Sequence, residues 1–190
     1  MSGINDWNAS KVTNMGYMFY ECWNLEGLNL NNWNVSNVVN MESMFSDCSS
    51  LVDISGIRNW NIMSVTNMSF MFAWCEELVD LSDIRGWNTS KVVNMSYMFY
   101  VCNGLINVDL SNWNTSSLKD ASDMFSYCEN LKNINLGNWN TKNLIRTYEM
   151  FYNLDSLKTL DLSKWNMRNV MNTESMFLSV PNLTTVYASS

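Results

Sequence analysis

Apolar and polar positions along this chain recur with a period of 26 or 27 residues. The dipeptide Met-Phe marks the period seven times, at Met18-Phe19, Met44-Phe45, Met71-Phe72, Met98-Phe99, Met124-Phe125, Met150-Phe151 and Met176-Phe177. One full unit runs from Leu25 to Leu51. It opens on Leu25-Glu26-Gly27-Leu28-Asn29-Leu30, an L-x-x-L-x-L run whose last positions alternate in and out like a strand. A polar bend follows, centred on Trp33-Asn34. Beyond it, Val38, Met41, Met44, Phe45 and Cys48 fall at i, i+3, i+6, i+7 and i+10. That spacing puts all five on one side of a helix ending near Leu51. Ser36, Ser90 and Ser116 stand where a helix N-cap would.

Strand, bend and helix in every unit predict an α/β, right-handed leucine-rich-repeat solenoid: about seven repeats, each with one parallel strand and one helix, in a single domain over residues 1–190. Strands stack about 4.8 Å apart and helices about 8–10 Å apart, so the mismatch curves the stack and places the strands on its concave side. The two 27-residue spacings each hold one extra residue, the first within Ile54–Trp60, read as a bulge or widened turn after the strand. The Trp of each bend points inward as a buried aromatic spine. The Asn that follows it in all seven units forms a ladder to the next bend. Five cysteines, Cys22, Cys48, Cys75, Cys102 and Cys128, form one inward column that continues as Leu154 and Val180. An odd count, apolar replacements and the absence of any CxxC spacing predict buried free thiols, not a disulfide chain or a metal ladder.

The composite pattern L-x-x-L-x-L-x-x-W-N-x-S-x-V-x-N-M-x-x-M-F-x-x-C resembles the BspA-like leucine-rich repeats of bacterial and some protist surface proteins, in their Trp/Met-Phe variety. The resemblance covers almost the whole chain. It implies an extracellular or cell-surface setting and contact with host or other extracellular molecules, and it carries over no catalytic residue. The chain departs from the pattern late, where the first Met of the unit becomes Ala121, Thr147 and Thr173.

Composition narrows the chemistry. Net charge is −7 and the eleven basic residues are scattered, so nucleic acid gains no footing. No apolar run is long enough to span a membrane and no signal-peptide pattern opens the chain; targeting and anchoring segments are expected elsewhere in a longer surface protein. There is no histidine. With no convergent carboxylates, thiols or lysines either, the expectation is a non-enzyme without cofactor, catalytic residues or metal site.

Two surfaces remain as candidates. Strand positions pointing outward give an acidic, amide-rich concave face: Asp53, Asp80, Asn107, Asp109, Asn133, Asn135 and Asp161. On the helical side, Tyr17, Phe70 and Tyr97 lie nearly opposite the core and offer a convex aromatic strip. The first suits an extracellular or host protein, the second a glycan, with sideways packing between neighbours as the structural reading of the same rings. The expected function is a non-catalytic binding or adhesion module acting through a repetitive face. A carbohydrate-binding module and a purely structural spacer are the alternatives. The ends lack recognisable caps, which predicts end-to-end self-association.

Overall fold

The computed structural model describes residues 3–188. The expected α/β leucine-rich-repeat solenoid, with a helix and a strand in every unit, is not what the chain forms. Among the described residues there is no α-helix. There are four short strands, β1 (Asn107–Asp109), β2 (Asn133–Asn135), β3 (Thr159–Leu162) and β4 (Thr185–Ala188). They pair in parallel as two two-stranded sheets, β1 with β2 and β3 with β4. Three single 3₁₀ turns complete the regular elements, at Ile4–Asp6, Ser55–Ile57 and Ser82–Ile84.

The Met-Phe segment explains the missing helices. From Met41 onward its amides alternate between two kinds of acceptor. Met41, Ser43, Phe45 and Asp47 donate to carbonyls of the following repeat (Asn67, Ser69, Met71 and Ala73, 2.8–2.9 Å), while Met44, Ser46 and Cys48 close turns onto the residue three back (3.2–3.3 Å). Each tight turn run holds two left-handed residues four apart, such as Ser43 (φ 52°) and Asp47 (φ 59°), and fourteen such residues recur through the seven repeats. A helix would satisfy the same amides internally, but its width of about 10 Å would hold adjacent repeats apart. The turn run lets every part of one repeat lie against the next at strand spacing. Left-handed backbone costs a non-glycine residue roughly 1–2 kcal/mol, offset here by the backbone bonds and ring stacking gained between repeats.

Two ladders hold the interior. The Met-Phe phenylalanines stack from Phe19 to Phe177 with centroids 5.4–6.1 Å apart. The bend tryptophans stack beside them, Trp33 on Trp60 at 6.3 Å and Trp139 on Trp165 at 5.9 Å. Indole N–H groups reach back to a backbone carbonyl, for example Trp113 Nε1 to Ile84 O at 3.0 Å. The inward set read from the sequence holds: Val38, Met41, Met44, Phe45 and Cys48 are all buried. Trp7 of the first repeat is exposed, as are Phe177 and Leu178 of the last.

On the L-x-x-L-x-L flank, ladder strands form only in the later repeats. In the repeats opening at Leu51 and Leu78 the extra residue is taken up by the 3₁₀ turns Ser55–Ile57 and Ser82–Ile84, which deflect the backbone from pairing. Gly56 fits there because a Cβ would run into the carbonyl oxygen of Leu28. A further parallel line of bridges joins Asn14, Asn40, Asn67, Asn94, Asp120, Arg146 and Asn172, one per repeat. With backbone bonds between repeats on both flanks, the helix–strand width mismatch is absent. The concave and convex faces expected from it lose their basis.

Candidate functional site

Asn and Asp side chains turn the chain at three corners of most repeats. The Asn after Trp accepts the amide two residues on (Asn34 Oδ1 from Ser36 N, 3.1 Å), the bridge-line residue does the same (Asn94 Oδ1 from Ser96 N, 2.9 Å), and so does the residue closing the strand segment (Asp161 Oδ1 from Ser163 N, 2.9 Å). These are Asx turns, in which a short side-chain oxygen replaces a backbone acceptor. The post-tryptophan Asn therefore caps its own bend and does not form the inter-repeat ladder expected of it. Ser36, Ser90 and Ser116 supply the capped amides and are not helix caps.

This capping accounts for five of the seven outward strand residues. Asp53, Asp80, Asp109, Asn135 and Asp161 accept the amides of Ser55, Ser82, Ser111, Gly137 and Ser163. Ser82 and Ser111 add their hydroxyls to Asp80 and Asp109, each at 2.7 Å. The amide of Ser55 holds the Asp53 carboxyl below the usual carboxylate range, as the hydroxyls of Ser82 and Ser111 do for Asp80 and Asp109. All three are anionic at neutral pH. The remaining two, Asn107 and Asn133, bond to each other across β1 and β2 (Nδ2 to Oδ1, 2.7 Å).

Six of the seven converge on one groove of about 390 Å³ along the strand face: Asp80, Asn107, Asp109, Asn133, Asn135 and Asp161. Asp53 lies apart, in a hollow with Glu26, Gly27 and Ser55. The groove also takes in Tyr187, at the end of the same strand face, and Arg85, which the strand alternation did not mark. Arg85 Nη2 pairs with Asp109 Oδ2 at 2.6 Å. Its position within the widened turn, facing an Asp of the following repeat, was the available signal. Arg58 pairs likewise with Asp83.

The three aromatics picked out for a glycan divide. Phe70 and Tyr97 lie flat on each other and are half-buried; Tyr17 is 55% exposed, edge-on to Tyr20, with its hydroxyl donating to Glu42 Oε1 at 3.1 Å. From Trp74 a herringbone of rings continues through Tyr100, Tyr127 and Tyr152, with centroids 5.0–5.5 Å apart and planes 72–74° apart. Rings packed edge to face along the stack do not form one flat platform. All three positions carry left-handed backbone and none lies on a helix.

The cysteines carry no disulfide; Cys48, Cys75, Cys102 and Cys128 are buried as expected, whereas Cys22 of the first repeat is partly exposed. Cys48, Cys75, Cys102 and Cys128 each donate Sγ–H to the Phe carbonyl of the preceding repeat at 3.0–3.2 Å. Burial pushes the Cys48 and Cys128 thiols up to about 12 and those of Cys75 and Cys102 well above their ordinary value. Among the described residues no group of three or more His, Cys, Asp or Glu side chains is placed to hold a metal ion, and no helix is long and apolar enough to cross a membrane.

A family model described as "Mycoplasma protein of unknown function, DUF285" matches residues 1–82 and, a second time, residues 75–188. No curated protein and no solved structure matches the chain.

Proposed function

The chain belongs to the DUF285 family, a repeat family with no function attached to it, and on that premise we propose that it is a non-catalytic binding module that holds a protein ligand against the strand-face groove. The observation that carries this reading is the convergence of Asp80, Asn107, Asp109, Asn133, Asn135 and Asp161 on one groove. Their side chains are already fixed by corner caps and cross-repeat bonds. A ligand meeting them therefore loses little side-chain freedom on the protein's side. The lowered carboxyls of Asp80 and Asp109 keep the groove acidic, with Arg85 as the cation among its lining residues. Such a surface selects a partner with basic and amide side chains, and charge complementarity speeds its encounter more than it deepens affinity. The resemblance to BspA-like surface repeats supports an extracellular partner and a cell-surface setting.

The test is binding of the chain to an array of extracellular proteins at two salt concentrations, repeated with the Asp80→Asn/Asp109→Asn/Asp161→Asn variant. Asparagine keeps the corner-capping oxygen, so the fold is retained. A salt-sensitive ligand should bind the triple variant at least tenfold more weakly. Undiminished binding by a folded triple variant would move the site off this groove.

A further inference from the structure

Asp123 is a buried acid in a column of otherwise outward or small side chains. The equivalent left-handed position holds Tyr17, Ser43, Phe70, Tyr97, Glu149 and Ser175 in the other repeats. Asp123 is only 2% exposed, and its Oδ2 is shut off from water without a hydrogen bond. Oδ1 lies 3.2 Å from the Oγ of Ser126, which is itself fully buried. The Ser126 hydroxyl also sits against the backbone carbonyl of Glu149 in the following repeat. A hydroxyl has one proton and cannot donate in both directions. When it donates to the Glu149 carbonyl, Oδ1 of an ionised Asp123 faces an oxygen lone pair. A protonated Asp123 removes the conflict: its O–H donates to Ser126 Oγ, and the Ser126 hydroxyl donates its hydrogen bond to Glu149 O.

The groups around the carboxyl pull in both directions. From the preceding repeat the Tyr97 hydroxyl favours its charged form, with Tyr100 nearby; from the following repeat the Glu149 side chain, bonded to Tyr148, disfavours it. The three ion pairs of the described residues leave Asp123 out. We propose that Asp123 is a proton-operated joint between the fifth and sixth repeats, closed when the carboxyl is neutral and loosened when it ionises. In the closed state the chain Asp123–Ser126–Glu149 carbonyl staples the two repeats. In the open state a proton has passed to solvent, leaving a buried anion beside Glu149 and no donor for Ser126 Oγ. Burial, reinforced by Glu149 and opposed by Tyr97 and Ser126, lifts the Asp123 carboxyl to about 6, which places the change between mildly acidic and neutral pH.

Two measurements on the full chain test this. Carbon-detected NMR of the wild-type Asp123 carboxyl should show a midpoint well above those of the groove aspartates. A midpoint below about pH 4.5, the ordinary carboxylate range, would overturn the proposal, and this readout needs no variant to fold. Thermal unfolding of wild type and Asp123→Asn should then diverge with pH. The side-chain amide introduced by Asp123→Asn can donate to Ser126 Oγ at any pH, so the wild type should lose at least about 2–4 °C relative to the variant between pH 5 and pH 7.5. Parallel pH profiles would show that ionisation of Asp123 does not govern the joint.

Discussion

Phe70 and Tyr97 lie face to face across two consecutive repeats, with ring centroids 4.4 Å apart and planes 4° from parallel. Each covers a face the other would need for stacking on a sugar, so the pair serves cohesion between repeats. Coupling between Phe70→Ala and Tyr97→Ala in a double-mutant cycle should amount to about 0.5–1.5 kcal/mol of unfolding free energy. Additive losses would mean that the rings do not sense one another.

The thiols should sort by depth. Cys22 is partly exposed, whereas the other four are buried and donate to backbone carbonyls. In the native chain at pH 8, a thiol reagent should modify one cysteine quickly and four only as fast as the chain opens. Rapid modification of more than one would contradict the buried column.

Val101 adopts φ 58°, a conformation that a β-branched side chain resists. Its amide bonds to Ser126 O at 2.9 Å, a contact that Asn retains. Val101→Asn should therefore raise the thermal midpoint by about 2–4 °C, which corresponds to roughly 1 kcal/mol in a chain of this size. Calorimetry of the pair checks it, and a lower midpoint would show that Val101 packs for more than its strain costs.

Phe99 sits mid-ladder, fully buried between Phe72 at 5.9 Å and Phe125 at 5.7 Å and tilted against Trp113. Phe99→Ala should cost about 3–5 kcal/mol in denaturant unfolding. Phe177→Ala, at an exposed rung, should cost much less. Equal losses at the two rungs would argue against a stacked interior.

Stability should pass through a maximum in mild acid. The folded carboxyls of Asp53, Asp80 and Asp109 are lowered, so their contribution is present above the unfolded carboxylate range and is lost as pH falls through the lowered values. The raised Asp123 acts in the opposite sense: its contribution is full at low pH and is lost as pH rises through about 6. Thermal midpoints measured from pH 2 to 8 should peak at about pH 4, the unfolded carboxylate range where the gain from the lowered aspartates ends and the loss from Asp123 begins. A steady rise to pH 8 would leave no role for Asp123.

Which residues face inward was legible along the chain; what the backbone does between them was not. Met41, Met44, Phe45 and Cys48 are buried as their spacing indicates. Yet steps of three, one and three residues suit a helix and a run of three-residue turns equally well. The choice between them lies in carbonyls supplied by the next repeat, such as Met71 O to Phe45 N at 2.9 Å. No window within a single repeat contains that information. The groove was legible because period-two alternation exposes Asn107 and Asp109 around Val108. Its capping was also written in the chain, as Asn or Asp two residues before Ser or Gly, but that signature reads as coincidence until the corner geometry is seen. Burial of Asp123 left no trace, since its column also carries Tyr17 and Phe70.

The backbone bonds between repeats run in both senses. Along the Met-Phe segment an earlier repeat donates to a later one, as Met15 N does to Asn40 O; just before that segment and at the start of the strand segment the later repeat donates back, as Val39 N does to Thr13 O and Val52 N to Glu26 O. Peptide dipoles aligned head to tail give a helix charged poles at its ends. Here donations in the two senses offset one another in part, so lengthening the stack sums less dipole than a helix of the same number of bonds would.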